Sequence, residues 1–275
     1  MEEFRIALTG DIDDGFEDLR HCLVPLVEML QSHDVPMAIP IVASALERHR
    51  SKMEYLRDAG IEIAGHGDVH QPFVGPVETQ VRRLSVMNHI FETVLGKAPD
   101  GFRAPFLAHD ANLYRALAES GLRYDSSRIA RDIVLRLRNL LSRRPLAYRD
   151  PTWRIPSLLA AHLAGTTISR PYPVAPGVIE LPVFELDDWY FFESSRGPRL
   201  GPDEGGLLVA TWLRAVRHVR RPGNILVLQA HPKRMSPGHL RTLEMFVESA
   251  RDLGGKFVRL GDLAERVTPQ IRKGD

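Results

Sequence analysis

Two adjacent carboxylates, Asp13 and Asp14, follow the first apolar run of the chain and directly precede the turn residue Gly15. Two unneutralised carboxylates side by side are unfavourable, unless a metal ion or a proton-accepting role separates their charges. Side chains that could serve as partners occur further along the chain, namely His66, His70, Arg103 and His231. The chemistry that these residue types suggest is metal binding combined with acid–base catalysis.

A carboxylate and two imidazoles make a three-ligand metal site with one open position, the arrangement that hydrolytic zinc enzymes use to activate water. Asp14, His66 and His70 fit that ligand set. The two histidines of GHGDVH are four residues apart, so the spacing predicts both imidazoles on one side of a helical turn. Gly65 and Gly67 would let the backbone bend close to the ion. The alternative is a pair of solvated loop histidines.

Short β-branched or aromatic runs alternate with longer segments of helical period, a pattern that predicts a parallel sheet built from βα units. The predicted strands are residues 4–10, 36–42, 61–65, 101–104, 122–126, 178–184, 224–230 and 256–260. The predicted helices include residues 16–31, 77–95, 112–120 and 237–253, the last three closed by Gly96, Gly121 and Gly254.

The candidate residues follow the carboxyl ends of the predicted strands. Asp13 and Asp14 follow the first strand, His66 the third and His231 the seventh; Arg103 lies on the fourth. In a (β/α) barrel the carboxyl ends of the strands share one face, and that face carries the chemistry. We therefore expect these distant residues to converge.

Composition limits the possible classes of protein. The 275 residues are 44% apolar and 26% charged, enough for one large core, and the net charge of +1 gives no general attraction to nucleic acid. The sequence shows no basic and apolar leader after Met1 and no apolar stretch of 18 residues. We expect a soluble, cytoplasmic protein without a nucleic-acid partner, and the sequence leaves its oligomeric state open.

Four motifs together resemble the polysaccharide deacetylase family, also known as the NodB homology domain or carbohydrate esterase family 4. The segments DIDDG at 11–15, GHGDVH at 65–70, GFRAP at 101–105 and LVLQAHP at 226–232 are similar to its first, second, third and last motifs. Their order and spacing match over about 220 residues. The resemblance implies an α/β fold, a distorted seven- or eight-stranded (β/α) barrel that forms a single domain over residues 1–275.

The resemblance also implies roles for the metal-site residues. A divalent metal, zinc in the first instance with Co2+, Ni2+ or Mn2+ as alternatives, would be held by Asp14, His66 and His70. Asp13 would be the general base for a metal-activated water, a division of roles that fits the chemistry of a neighbouring ionised carboxylate. Arg103 would pair with Asp13 and keep it ionised.

The remaining motifs imply a general acid and its supporting residues. His231 would protonate the leaving nitrogen, and an aspartate of the fourth motif would tune it. Because both YDSS at 124–127 and LDDW at 186–189 fit that motif, Asp125, Asp187 and Asp188 are all candidates. Leu228 resembles a leucine that lines a pocket for the acyl methyl group, although packing alone would also explain it.

Two further residues are supporting candidates. Pro105 ends the third motif, GFRAP, and the resemblance also implies that a backbone N–H near the end of the third strand stabilises the oxyanion. Trp189 begins the aromatic run WYFF, whose rings could stack on a sugar face or belong to the core.

The implied function is metal-dependent hydrolysis of an amide, first of all N-deacetylation of an acetylated amino sugar in a glycan or in a lipid- or nucleotide-linked sugar. The pairing of YDSS with a later ELPV and LDD stretch is similar to the branch with peptidoglycan deacetylases and cofactor-independent allantoinases and cyclic imidases. Hydrolysis of a non-sugar cyclic amide is therefore an alternative, and a catalytically silent glycan-binding protein is another.

An arginine-rich insertion at about 128–178 separates the fifth and sixth predicted strands. In DIVLRLRNLLSRRPLAYR apolar residues recur at helical spacing among arginines, which predicts a basic amphipathic helix. Such a helix could simply cover the active-site face, or it could contact an anionic membrane or the phosphate of a lipid- or nucleotide-linked sugar.

Overall fold

The protein forms a curled α/β sheet in a computed structural model that describes residues 4–13, 20–130, 170–184, 186–194, 198–201, 203–219 and 224–271. The described strands are β1 (Phe4–Thr9), β2 (Met37–Ile41), β3 (Glu62–Gly65), β4 (Gly101–Phe102), β5 (Tyr124–Asp125), β6 (Tyr172–Ala175), β7 (Val178–Glu180), β8 (Ile225–Gln229) and β9 (Gly255–Phe257).

The strand order is β6-β7-β5-β4-β3-β2-β1-β8, and β9 pairs with the first half of β1. All pairs are parallel except the β6–β7 hairpin. One bridge between Val183, just after β7, and Val227 of β8 brings the two ends of the curled sheet together. This arrangement confirms the predicted distorted barrel.

Helices cover the outside of the sheet. They are α1 (Arg20–Ser32), α2 (Ala43–Arg48), α3 (Arg50–Asp58), α4 (Val77–Leu95), α5 (Asn112–Glu119), α6 (Asp188–Phe192), α7 (Gly206–Val219), α8 (Pro237–Asp252) and α9 (Leu260–Ile271). Two helix ends carry the residues that the sequence pattern uses to predict where helices begin and end. Gly96 adopts φ +82° directly after α4, and the Ser236 hydroxyl caps the start of α8. In the described residues, no helix combines the length and apolar character needed to cross a membrane.

Apolar strands at the centre of the sheet anchor the core. Strands β2 and β8 are buried at every position, and β1 is buried at all but one. Side chains such as Phe102, Phe246 and Trp212 pack between the sheet and its helices. This core fixes the carboxyl ends of β1, β3, β4 and β8, which is where the candidate residues lie.

All eight predicted strands overlap an observed strand, but β6 was missed. Its sequence YPVA follows another proline, and proline lacks the N–H that a strand ladder uses, so the segment did not resemble a strand. Strand β6 tolerates Pro173 because it lies at the edge of the sheet. The predicted amphipathic helix of the insertion lies outside the described residues, within 131–169.

Candidate active site

Asp13, His66 and His70 come together at the carboxyl ends of β1 and β3. Asp13 Oδ1 lies 3.2 Å from His70 Nε2 and 3.6 Å from His66 Nε2. One ligand atom from each of the three residues lies within 4.8 Å of the other two. Asp14, the carboxylate that the sequence interpretation placed in this group, lies outside the described residues.

The tautomer of His66 follows from its partner. His66 is buried, and its Nδ1 lies 2.7 Å from the carbonyl oxygen of Arg103. A carbonyl oxygen can only accept, so Nδ1 carries the hydrogen and donates it. In the neutral ring the free lone pair is therefore on Nε2, the atom that faces Asp13.

The segment between the two histidines is a loop of bends, so the predicted helical turn was wrong. Gly67 has φ +93°, outside the helical region, and the carbonyl groups of Gly67 and Asp68 accept hydrogen bonds from the start of α2. The His66 and His70 rings still meet, with centroids 5.4 Å apart. The His70 ring also packs against the Phe106 ring, with a centroid distance of 4.2 Å.

Arg103 pairs with Asp11, so the predicted pairing with Asp13 was wrong. Arg103 is fully buried, and its Nη1 donates to Asp11 Oδ1 at 2.7 Å and to Thr9 Oγ1 at 2.9 Å. Its Nε and Nη2 donate to the carbonyl and hydroxyl oxygens of Ser126. The guanidinium is thus held by four acceptor atoms on three residues.

The alternation of side chains explains this outcome. Ile12 bridges to Ile41 in parallel register and is buried in the core, so the chain is extended there. In an extended chain, residues two apart point to the same side. Asp11 and Asp13 therefore face the site together, whereas the sequence interpretation had grouped the neighbours Asp13 and Asp14.

Asp11 is a site residue that the sequence interpretation missed. Its Oδ2 accepts a hydrogen bond from Gln229 Nε2 at 3.0 Å and lies 3.9 Å from His66 Nε2. Burial raises the pKa of Asp11, but the charges of Arg103, His66 and His231 and the hydrogen bond from Arg103 outweigh it, so the net pKa is lowered. Only the D-x-D alternation of DIDD carried a signal for it.

A second histidine–carboxylate pair lies at the carboxyl end of β8. His231 Nδ1 lies 2.5 Å from Asp188 Oδ1, and the backbone N–H of His231 donates to Asp188 Oδ2 at 2.7 Å. Burial lowers the pKa of His231, yet the Asp188 charge and hydrogen bond outweigh it, and the pKa is raised. Among the three candidate aspartates, the structure therefore places Asp188 beside His231.

Asp187 lies in the same cluster as Asp188 and His231, with one ligand atom of each within 4.8 Å of the other two. Its hydrogen bond to the backbone nevertheless serves another purpose, and Asp125 lies elsewhere. Asp187 caps α6 by accepting a hydrogen bond from the backbone N–H of Tyr190 at 2.9 Å. Asp125 is fully buried on β5, in register with Glu180 of β7, and accepts a hydrogen bond from the Ser127 hydroxyl.

The remaining candidates surround these groups. Leu228 is buried on β8 beside Leu8, and Pro105 is buried at the start of a 3-10 turn. Trp189, next to Asp188, is 39% exposed, and Phe106 is 47% exposed. Sequence reasoning also missed Lys233, whose Nζ lies 3.7 Å from Asp13 Oδ2.

Comparison with protein families supplies the context for this geometry. Residues 2–124 match the family model described as polysaccharide deacetylase. This stretch of the chain is therefore similar in sequence to polysaccharide deacetylases. The matched region includes Asp11, Asp13, both histidines of the second motif and Arg103, so the resemblance seen in the sequence motifs is confirmed. A deacetylase that acts on acetamido groups hydrolyses a carbon–nitrogen bond other than a peptide bond, the enzyme class expected from the sequence.

Solved structures show the same deacetylase fold over nearly the whole chain. A structure assigned to a polysaccharide deacetylase of Mycobacterium smegmatis is 23% identical, covers 97% of this chain and 90% of its own, and superposes with a TM-score of 0.72. The Puue allantoinase is 17% identical, with 95% and 89% covered and a TM-score of 0.69. A structure assigned to a polysaccharide deacetylase of Pseudomonas aeruginosa PAO1 is 17% identical, with 95% and 90% covered and a TM-score of 0.67.

At these identities the similarity establishes the fold alone. A comparison with curated protein sequences returned no match for the chain. The substrate and the roles of single residues must therefore be argued from the geometry of the site.

Proposed function

We propose that the protein hydrolyses an amide bond with the help of one divalent metal ion, and that its substrate is an acetylated amino sugar from which it removes the acetyl group. The observation that carries the proposal is the convergence of Asp13 with the Nε2 atoms of His66 and His70, at a site that also holds a second carboxylate, Asp11, and a third histidine, His231. A metal site alone would not need both a proton acceptor and a proton donor.

The residues fit a divalent ion. Ligand atoms of a tetrahedral zinc site with bonds of about 2.0–2.1 Å lie about 3.3 Å apart, and Asp13 Oδ1 is 3.2 and 3.6 Å from the two imidazole nitrogens. One carboxylate and two imidazoles suit zinc, and also Co2+, Ni2+ or Mn2+. Asp13, His66 and His70 would hold the ion, which when bound would polarise the scissile carbonyl and lower the pKa of a water molecule.

We assign the base role to Asp11 and the ligand role to Asp13, which revises the interpretation of the sequence. Asp11 Oδ2 lies 3.9 Å from His66 Nε2, close enough to the metal-binding atoms to accept a proton from a water molecule there. Arg103 occupies the other oxygen, keeps Asp11 ionised and directs Oδ2 towards the site. Asp13 shares its Oδ1 with both imidazoles, a geometry that suits a ligand better than a base.

His231 is the proposed general acid. Asp188 accepts from His231 Nδ1–H and raises the pKa of the ring, so the imidazolium form persists at higher pH. With Nδ1 held by the carboxylate, Nε2 remains as the proton donor to the leaving nitrogen. Leu228 and Trp189 remain candidates for contacting the acyl group and the rest of the substrate.

Hydrolysis of a cyclic amide is the second candidate function, because the Puue allantoinase shares this fold over 95% of the chain. The same base and acid would open a ring without releasing acetate. A silent glycan-binding role is less well supported, since it requires neither the Asp11–Arg103 pair nor the His231–Asp188 pair.

One panel of substrates distinguishes these functions. Zinc-loaded protein is incubated with N-acetylated glycans, with lipid- and nucleotide-linked acetamido sugars and with allantoin, and acetate release and ring opening are measured separately. Acetate release that is lost in Asp11→Asn supports deacetylation, and ring opening without acetate supports the second function. If the zinc-bound protein forms neither acetate nor a ring-opened product, both proposed functions are contradicted.

A further inference from the structure

Asp125 and Ser127 belong to a hydrogen-bonded chain that ends at His66. The backbone N–H of Ala104 donates to Ser127 Oγ at 2.8 Å, and the Ser127 hydroxyl donates to Asp125 Oδ1 at 2.5 Å. The peptide group between Arg103 and Ala104 also carries the Arg103 carbonyl, which accepts from His66 Nδ1 at 2.7 Å. One peptide group therefore connects a metal-ligand candidate to a buried carboxylate.

Glu180 lies beside Asp125 at the end of the hydrogen-bonded chain that is farther from His66. Asp125 and Glu180 are partners in register on β5 and β7, and both are fully buried. Glu180 Oε1 accepts from the backbone N–H of Arg128 at 3.0 Å, while Glu180 Oε2 and Asp125 Oδ2 have no hydrogen-bond donor among the described residues. Two such carboxyl groups side by side cannot both ionise, so one proton between them satisfies both oxygens.

The shared proton is assigned to Glu180, and burial raises the pKa of Asp125 as well. Burial and the neighbouring Asp125 carboxylate raise the pKa of Glu180 well above its usual range. Asp125 then remains a carboxylate that accepts from Glu180 and from Ser127.

All hydrogen bonds between His66 and Asp125 run in the same direction, with each donor on the His66 side and each acceptor on the Asp125 side. Hydrogen bonds in such a series polarise one another in a low-dielectric interior. The negative charge on Asp125 makes Ser127 Oγ a better acceptor, polarises the peptide group and leaves more negative charge on the Arg103 carbonyl oxygen. A stronger acceptor at Nδ1 makes His66 Nε2 a better electron-pair donor to a metal ion and fixes the orientation of the ring.

We propose that Asp125 and Ser127 are positioning residues that tune His66 as a metal ligand through the Arg103–Ala104 peptide group, with protonated Glu180 holding Asp125 in place. This inference rests on the metal site of the proposed function. It assigns a role to a buried carboxyl pair that neither the base nor the acid requires.

The test compares four variants by zinc affinity and by NMR of the metal-free protein. Ser127→Ala breaks the chain and should weaken zinc binding about tenfold, the lower end of the effect of outer partners of metal ligands. Asp125→Asn keeps the shape but removes the charge, so a smaller loss is expected. Glu180→Gln keeps a donor to Asp125 and should bind zinc within about twofold of wild type.

Thr211→Val is the matched control, because it removes a buried hydroxyl that donates to the Leu207 carbonyl of its own helix, α7. Its zinc affinity should match wild type even if its stability falls. In the metal-free protein, the His66 Nδ1–H proton resonance should move upfield in Ser127→Ala and Asp125→Asn, and stay in place in Glu180→Gln and Thr211→Val. Thermal unfolding establishes that each variant is folded.

The outcomes separate this inference from the proposed function. The proposed tuning of His66 by Asp125 and Ser127 is overturned if Ser127→Ala binds zinc within twofold of wild type, or if its His66 resonance does not move. If wild type binds no zinc, the proposed function fails, and the shift of the His66 resonance still decides whether the hydrogen-bonded chain acts on His66.

Discussion

Two histidines of the site, His66 and His231, have different partners at Nδ1, and the partner explains the role of each. His66 donates from Nδ1 to the neutral carbonyl of Arg103, whereas His231 donates to the charged carboxylate of Asp188. The carbonyl holds the hydrogen of the neutral ring on Nδ1 and leaves the lone pair on Nε2, which suits a ligand. The carboxylate stabilises the imidazolium and raises its pKa, which suits an acid. The residue that accepts the Nδ1 hydrogen bond thus favours a metal-ligand role for one histidine and a proton-donor role for the other.

The largest expected effect comes from removing the ligand histidine. His66→Gln should lose zinc from the site and lower kcat/KM by at least about 10³-fold, because substrate and water would no longer be activated. Zinc content by elemental analysis and the rate of acetate release measure both effects. His89→Gln, which changes an exposed histidine on α4, should leave both unchanged.

Removal of the other histidine should separate catalysis from metal binding. His231→Asn should lower kcat about 10²-fold because the leaving nitrogen loses its proton donor, while zinc affinity stays within twofold of wild type. Calorimetric zinc titration and steady-state kinetics check the two halves. Loss of zinc in this variant would show that the two histidines are not functionally distinct.

A smaller effect should follow from changing only the partner of His231. Asp188→Asn removes the charge that raises the pKa of His231, so that pKa should fall. Activity that depends on the protonated ring would then be lost at lower pH, and the alkaline limb of the pH–rate profile should move down. We expect about a tenfold lower rate near neutral pH. An alkaline limb at the wild-type position would contradict the role of His231 as acid.

The smallest effect concerns stability and lies in the buried carboxyl pair. Glu180 has a folded-state pKa above its unfolded value, so its contribution is fully present below the unfolded pKa and is lost as pH rises through the folded pKa. Glu180→Gln removes this titration. Between the unfolded and folded pKa values of Glu180, the free energy of unfolding of the Glu180→Gln variant should fall less steeply with pH than that of wild type. The difference in slope should reach about 1.4 kcal/mol per pH unit. Parallel denaturant titrations across pH measure the difference, and identical slopes would refute the shared proton.

The strand and helix pattern of the sequence predicted the fold well, because apolar runs and glycine stops are local signals. Helix α4 with Gly96 and the buried strand β8 are examples. The pairing of side chains was harder to predict, since His231 and Asp188 are 43 residues apart and three aspartates fitted the same motif. The identity of the Arg103 partner depended on the burial of Ile12, which sets the alternation of Asp11 and Asp13.

The most direct test of the account compares zinc binding by Asp11→Asn and Asp13→Asn, with thermal unfolding as the check on folding. If Asp13 is the ligand and Asp11 the base, Asp11→Asn should bind one zinc per chain yet lose activity by about 10²-fold or more. Asp13→Asn should lose most of its zinc affinity because the anionic ligand is gone. Wild-type zinc affinity in Asp13→Asn, or loss of zinc only in Asp11→Asn, would contradict the assignment of the two carboxylates.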